Sequence, residues 1–349
     1  MSTENVKMER KLYIKNYDRM VEDLLNGIES NKIILDPDYQ RNYVWTNEKA
    51  SLLVESILLN IPIPVIYASE DKNMNWNIVD GLQRLFSLKR FRENEFKLKG
   101  LETLPELNGF KFKQLPLTTQ QKLLHGELRV VVLQNESDPN IQYDIFMRLN
   151  SGAIKLNEQE LRNCLFRGKL NNKIKEIAKN NNEIKTIIGN SKVDRMMANE
   201  LILRYAAVSE KYDRKLEQLV RYDGRIKNML NSYMKVNQNP SDIFISEFEK
   251  KFNMQIYKAF MVFGSNAFKT ENSTKINTSL FDCVMISFED YQLEKLLDKK
   301  NDIKKMTNEL LKTDNEFINN ITRSTNNTEV FNSRLSIYSK HLKEVMKDE

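Results

Sequence analysis

Ile78-Val79-Asp80-Gly81-Leu82-Gln83-Arg84 lies where a strand is expected to end and a helix to begin. Trp76 to Val79 reads as a strand, and a helix follows from Gly81 to about Phe91. A strand-to-helix turn points free backbone N–H groups and the positive helix end at whatever occupies the cleft, and phosphate is its natural guest. Gly81 lets the backbone approach closely. At about 100° per residue, Gln83, Arg84 and Ser87 share one quadrant of the helix. Arg84 then supplies a forked cation suited to bidentate phosphate contact. The plain alternative is an ordinary surface arginine beside a helix-start glycine, because short glycine motifs are weak evidence.

Around this turn the first ~135 residues read as mixed α/β. Tyr17 to Gly27 shows helical spacing and a glycine stop, and Lys32 to Leu35 is β-prone. Thr46 caps a helix through Leu59, after which Pro62 and Pro64 hold the chain extended. Val65 to Ala68 pairs with Trp76 to Val79 as a hairpin across the turn-like Asp71 to Asn75. Leu128 to Leu133 suits a buried central strand.

From Pro139 the pattern is helical. Candidates are Asn140 to Leu149, a helix capped by Asn157 with Glu160, Lys169 to Asn180, Arg195 to Lys211 and Lys215 to Val236. Ser241 to Phe263, Thr278 to Leu297, Asp302 to Ile321 and Thr328 to Met346 follow. The expected domains are therefore a head over residues 1–138 and an α-helical body over 139–349.

Two further clusters carry chemistry. Asp36-Pro37-Asp38-Tyr39-Gln40-Arg41-Asn42-Tyr43-Val44-Trp45 interleaves aromatics with Arg and Gln, as base stacking or a nucleotide cleft requires. Tyr43 and Trp45 packing on the core is the competing account. Phe146-Met147-Arg148-Leu149-Asn150-Ser151-Gly152 closes a helix at a glycine stop, with Arg148 and Asn150 available to a site.

Taken in order, Tyr39-Gln40-Arg41 with Trp45, Ile61-Pro62-Ile63-Pro64, Asp80 to Arg84, and Phe146 to Gly152 with Leu156 and Glu160 resemble the N-terminal domain of GmrSD-type modification-dependent restriction systems. The resemblance runs over roughly residues 15–165, and its most specific element is an Asp-Gly-Gln-Gln-Arg signature at Asp80 to Arg84. It implies an α+β fold: a ParB/sulfiredoxin-like head with a small mixed sheet, followed by the helical body. It also implies a nucleoside triphosphate, with Mg2+, bound and turned over by Asp80, Gln83 and Arg84. Gly81, Tyr39, Gln40, Arg41, Arg148 and Asn150 would complete the nucleotide cleft. Tyr39, Arg41 and Trp45 are the residues for DNA, including modified phage DNA. Leu82 departs from the signature, where the family has Gln, and on this reading weakens hydrolysis more than binding.

Composition bounds the alternatives. Two cysteines far apart, Cys164 and Cys283, suit a reduced cytoplasmic compartment, and neither belongs to a metal-ligand spacing. No apolar run approaches the roughly 20 residues of a membrane helix. A formal charge of +6 leans gently towards an anionic partner. The chain is also rich in Lys, Asn and Ile, which AT-rich coding alone favours. With two histidines, His125 and His341, it lacks the His constellation of an HNH nuclease, and it has no P-loop. Glu249-Lys250-Lys251 is a Glu-x-Lys expected by chance in so charged a chain. The expectation is a nucleotide-binding effector or regulator of an anti-phage or restriction system, a weak NTPase at most. A separate nuclease subunit would cut DNA, and a homo-oligomer stays open. A non-catalytic DNA-binding or assembly module with a vestigial cleft is the alternative, and a nuclease seated in the head itself is a third.

Overall fold

A computed structural model describes residues 11–35, 43–149, 157–189, 196–270 and 273–347. The chain divides into two compact units, Met1–Leu165 and Phe166–Glu349. The division falls after Leu165, where the sequence had suggested residue 138.

The first unit is built on a five-stranded mixed sheet of order β1-β5-β3-β4-β2. Its strands are β1 (Ile14–Met20), β2 (Ile33–Ile34), β3 (Ile66–Glu70), β4 (Trp76–Asp80) and β5 (Glu127–Leu133). β1 and β5 are antiparallel, β5 and β3 parallel, β3 and β4 antiparallel, and β4 and β2 parallel. The expected hairpin is β3–β4, and the apolar run is β5, flanked on both sides with Val130 and Val132 fully buried.

The helical reading of Tyr17 to Gly27 is corrected at both ends. Residues 14–20 pair with β5 over their whole length, from Ile14 opposite Leu133 to Met20 opposite Glu127. This edge strand is almost entirely exposed, so no alternation of apolar residues marks it. Cross-strand contacts hold it instead, including a two-pronged pair from Arg129 to Asp18 at 2.8 and 2.9 Å.

Helix α1 (Val21–Glu29) begins where β1 ends and buries Val21, Leu24, Leu25 and Ile28 at helical spacing. Gly27 does not stop it. A Cβ there would meet Ile33 Cδ1 at 2.8 Å, so the glycine allows β2 to approach the helix closely.

α2 (Asn47–Leu58) opens on Thr46, whose hydroxyl accepts from the Lys49 amide, as its sequence predicts. α3 (Leu82–Arg92), α4 (Leu117–Leu124), α5 (Pro139–Leu149) and α6 (Glu158–Leu165) complete the unit. At α6, Asn157 accepts from the Glu160 amide and Glu160 accepts from the Asn157 amide, each at 2.8 Å, closing the expected capping box. α1, α2, α3 and the inner strands share one hydrophobic core.

The second unit is helical: α7 (Lys169–Asn180), α8 (Asn182–Ile188), α9 (Met197–Lys211), α10 (Ile226–Val236), α11 (Asp242–Phe263), α12 (Thr278–Ser287), α13 (Leu293–Asp298), α14 (Lys300–Thr313), α15 (Asn315–Thr322) and α16 (Thr328–Met346). Three expected helices are interrupted. Lys215 to Leu219 belongs to a hairpin of β6 (Tyr212–Asp213) and β7 (Gln218–Leu219), turned by Asp213, whose carboxylate accepts from the Lys215 and Leu216 amides. Thr278 to Leu297 breaks after Ser287, and the buried Lys258 ammonium donates to the carbonyls of Phe288 and Tyr291 at that break. Asp302 to Ile321 restarts at Asp314, whose carboxylate accepts from the Phe317 amide at 2.8 Å.

At the centre of this unit Asp282 holds two arginines. Arg204 meets it through two bonds of 2.6 Å and Arg334 through one of 3.0 Å, all three side chains being buried.

Candidate functional site

The turn after β4 is made as its sequence predicts, with Asp80 ending the strand and Leu82 opening α3. Gly81 lies in the left-handed region, at φ 99°. A Cβ on it would stand 2.9 Å from Ile66 Cγ1, so glycine is required here on two counts, conformation and space. The first turn of α3 carries no side-chain cap, which leaves its N-terminal amides without a side-chain acceptor.

Arg84 departs from the phosphate-ligand picture. The residue is 8% exposed. Its guanidinium donates to the carbonyl of Pro64, to that of Val65 at 3.2 Å and to Asp80 Oδ2 at 2.9 Å. Burial pulls the guanidinium below its ordinary pKa, and the Asp80 charge opposes that pull. Arg84 therefore ties the end of Ile61-Pro62-Ile63-Pro64 to the start of α3. It is neither a surface arginine nor a free fork.

Leu82 is buried, 5% exposed, within the head's hydrophobic core. Its side chain faces the core and not the outer surface of the turn. An apolar side chain suits the position because the position faces the core.

The aromatic stretch before α2 comes to the same helix. Gln83 Oε1 accepts from the Val44 amide at 3.3 Å. The Tyr43 hydroxyl and Ser87 Oγ share a hydrogen bond of 2.8 Å, and Ser87 donates to the Gln83 carbonyl at 2.7 Å. Arg90 lies 4.7 Å over the Tyr43 ring. Gln83 and Ser87, placed in one quadrant by helical spacing, thus anchor the incoming loop. Trp45 packs against the core with Lys49 Nζ 4.7 Å over its ring, so one face is already occupied. The contribution of the Pro64 and Val65 carbonyls leaves no trace in side-chain pattern, and only the prolines hint at an extended segment.

Arg148 is exposed in the last turn of α5. Tyr39, Gln40, Arg41 and Asn150 lie outside the described residues.

The profile of the family described as "GmrSD restriction endonuclease, N-terminal domain" matches residues 21–167. Residues 21–167 are a GmrSD-type N-terminal domain.

The matched segment runs from the first residue of α1 to just beyond α6, so the GmrSD-type head takes in α5 and α6. A solved structure described as the C2221 form of a Pnob8-like ParB-N domain aligns with 97% of this chain and 99% of that chain, at 15% identity and a TM-score of 0.22. No curated protein matches the chain.

The donor set of the GmrSD-type head suits an anion in part. The uncapped α3 amides and the half-buried Gln83 fit a phosphate. Arg84 does not, because its guanidinium is committed to two carbonyls and a carboxylate. For Mg2+, Asp80 offers one carboxylate, already paired with Arg84. Among the described residues no group of three or more His, Cys, Asp or Glu is placed to hold a metal. Nor, among them, is any helix long and apolar enough to cross a membrane.

Proposed function

We propose that this chain is the nucleotide-binding, DNA-directed component of a bacterial restriction or anti-phage system, working in the cytoplasm with a separate nuclease subunit. The observation that carries the proposal is the turn at Asp80-Gly81 inside a GmrSD-type domain. There a glycine that tolerates no side chain precedes an uncapped helix N-terminus. In this reading the α3 amides and Gln83 receive nucleotide phosphates, and Arg84 with Asp80 holds the turn in shape. A bound nucleoside triphosphate with Mg2+ would supply a ligand charge that the α3 dipole favours. Hydrolysis would be slow or would depend on the partner, since the charged groups at the turn, Asp80 and Arg84, are already paired with each other.

DNA is the proposed macromolecular partner, with Tyr39, Arg41 and Trp45 as its contacts. Arginine beside aromatics suits a phosphate-plus-stacking contact.

The test is calorimetry of the full chain with nucleoside triphosphates and Mg2+, run beside DNA-binding titrations at several salt concentrations. The expected results are saturable nucleotide binding weakened by Gln83→Ala, and DNA binding whose salt dependence becomes shallower in Arg41→Ala. No nucleotide binding, with DNA binding intact, selects the second reading: a non-catalytic DNA-binding or assembly module. The commitment of Arg84 to internal partners favours that second reading. Cleavage of phage DNA by the chain alone would overturn the separate-nuclease element.

A further inference from the structure

Helix α11 carries apolar residues on two sides. Its inner side buries Phe248, Phe252, Ile256, Ala259 and Val262. Its outer side carries a second row, Ile243, Glu247, Lys250, Met254 and Tyr257, all exposed and spaced alternately by four and three residues. At 3.6 residues per turn these five fall within a sector of about 80°, the seam of a heptad pattern. Its large apolar members are Ile243, 72% exposed, Met254, 51%, and Tyr257, 38%. Apolar residues exposed singly are ordinary, but aligned over about 21 Å of one helix they mark a contact surface.

The charges in the middle of the seam identify what covers it. Of the six charged residues of α11, four are engaged within the chain. Asp242 meets Lys169 at 2.8 Å, Glu249 meets Lys173 at 3.1 Å, Lys251 meets Glu289 at 2.9 Å, and Lys258 donates to the carbonyls of Phe288 and Tyr291. The other two are Glu247 and Lys250, and neither makes a hydrogen bond or ion pair with any described residue. A seam with one unpaired anion and one unpaired cation at its centre is complementary to itself when turned end for end.

We infer that the outer face of α11 pairs, antiparallel, with the same face of a second copy of this chain, about a two-fold axis level with Phe248 and Glu249. Glu247 of each copy then meets Lys250 of the other, and Ile243 of each meets Met254 of the other. Tyr257 extends over the residues that precede Ile243 in the second copy, Pro240 among them. A parallel pair would set Glu247 against Glu247 and Lys250 against Lys250. Sliding the antiparallel pair by one heptad would set Glu247 against Tyr257 and Lys250 against Met254, with both charges unmatched. The two charges therefore fix orientation and register, while Ile243 and Met254 supply the apolar contact. A seam of this length is short beside large obligate interfaces, so the dimer is in reversible equilibrium with the monomer.

The experiment is sedimentation velocity of the full chain over a concentration series. A monomer–dimer equilibrium is expected. Ile243→Glu, Glu247→Lys and Lys250→Glu change exposed positions, so each should leave the melting temperature unaltered while weakening the dimer tenfold or more. Mixing Glu247→Lys chains with Lys250→Glu chains should restore the dimer, because opposite charges then meet in both central layers. Ile243→Cys with Met254→Cys in one chain should oxidise to a covalent dimer, since the two positions are too far apart along the helix to bridge within a chain and the native Cys164 and Cys283 are buried. The inference is overturned if the chain is monomeric at every concentration, which would leave the seam to a different protein. It is equally overturned if a dimer forms that ignores all three substitutions, if the mixture associates no better than either variant alone, or if no covalent dimer forms.

Discussion

Arg84 and Asp80 stand four residues apart across the strand-to-helix turn, and the guanidinium, nine-tenths buried, meets the carboxylate at 2.9 Å while also donating to two backbone carbonyls. Residues that sequence alone assigns to a phosphate are thereby bound to each other and to the chain before β3. Arg84→Ala leaves the Pro64 and Val65 carbonyls and the Asp80 charge without their donor. Hydrogen bonds to charged groups contribute about 1.5–3 kcal/mol each way of counting, and a loss of that order is expected in urea unfolding. Arg84→Lys should recover little, since an ammonium cannot reproduce the planar fork. An unchanged unfolding midpoint with lost nucleotide affinity would return Arg84 to a ligand role.

Leu82 gives the opposite contrast between chemistry and burial. Leu82→Gln restores the amide of the family signature but places it in the hydrophobic core. Burying an amide without a partner costs about 1–3 kcal/mol in proteins. The expected result is a lower melting temperature with unchanged phosphate release. Faster phosphate release at unchanged stability would show that the side chain reaches the turn's outer surface.

What could be read from the sequence follows from where the signals reside. The β4–α3 junction, the β3–β4 hairpin, the Thr46 cap and the Asn157–Glu160 box are local in sequence. Their residues were legible because each makes its decisive contact within a few positions of itself or across one short turn. β1 was not, because what holds Ile14–Met20 as a strand is β5, more than a hundred residues away. The same holds for Arg84. Helical spacing places it correctly on α3, but its carbonyl partners come from a segment 19 and 20 residues earlier and carry no side-chain signature. The break after Ser287 was hidden likewise, since the lysine that satisfies its carbonyls lies on another helix. Interior cations, in this chain, read as surface ones until their partners are known.

Asp282 supports the core of the second unit between two arginines. Asp282→Ala strands two buried guanidinium groups, and breaking a buried ion pair from one side costs about 3–5 kcal/mol. Loss of the cooperative helical transition of this unit is the expected result, followed by circular dichroism in urea. Adding Arg334→Met to Asp282→Ala should cost less than the sum of the two single changes, because the second change removes a charge the first left uncompensated. Additive losses would show that Arg334 is held by its Thr325 and Phe331 contacts independently of Asp282.

The same region determines how the protein responds to alkali. Burial pushes the Cys283 thiol up to about 12 from its ordinary 9.0. It pushes the Tyr222 hydroxyl up to about 12 from 10.0, against the pull of Arg204 and Arg334, and Tyr212 likewise to about 12. In each case the folded state holds its proton to higher pH than the unfolded chain does. The unfolded state therefore binds fewer protons across this window, and stability falls as pH rises. The contribution is complete below pH 9, where the unfolded thiol is still protonated, and is progressively lost towards pH 12. Melting temperature measured from pH 8 upward should hold level to about pH 9 and then decline, and the share of the ultraviolet ionisation signal that Tyr222→Phe and Tyr212→Phe remove should appear together with unfolding and not before it. Below that window the buried thiol should resist alkylation while the protein is folded and react on denaturation. Ionisation near pH 10 of the signal assigned to Tyr222 or Tyr212 in a still-folded protein, or a melting temperature that rises between pH 9 and 11, would contradict the burial of these groups.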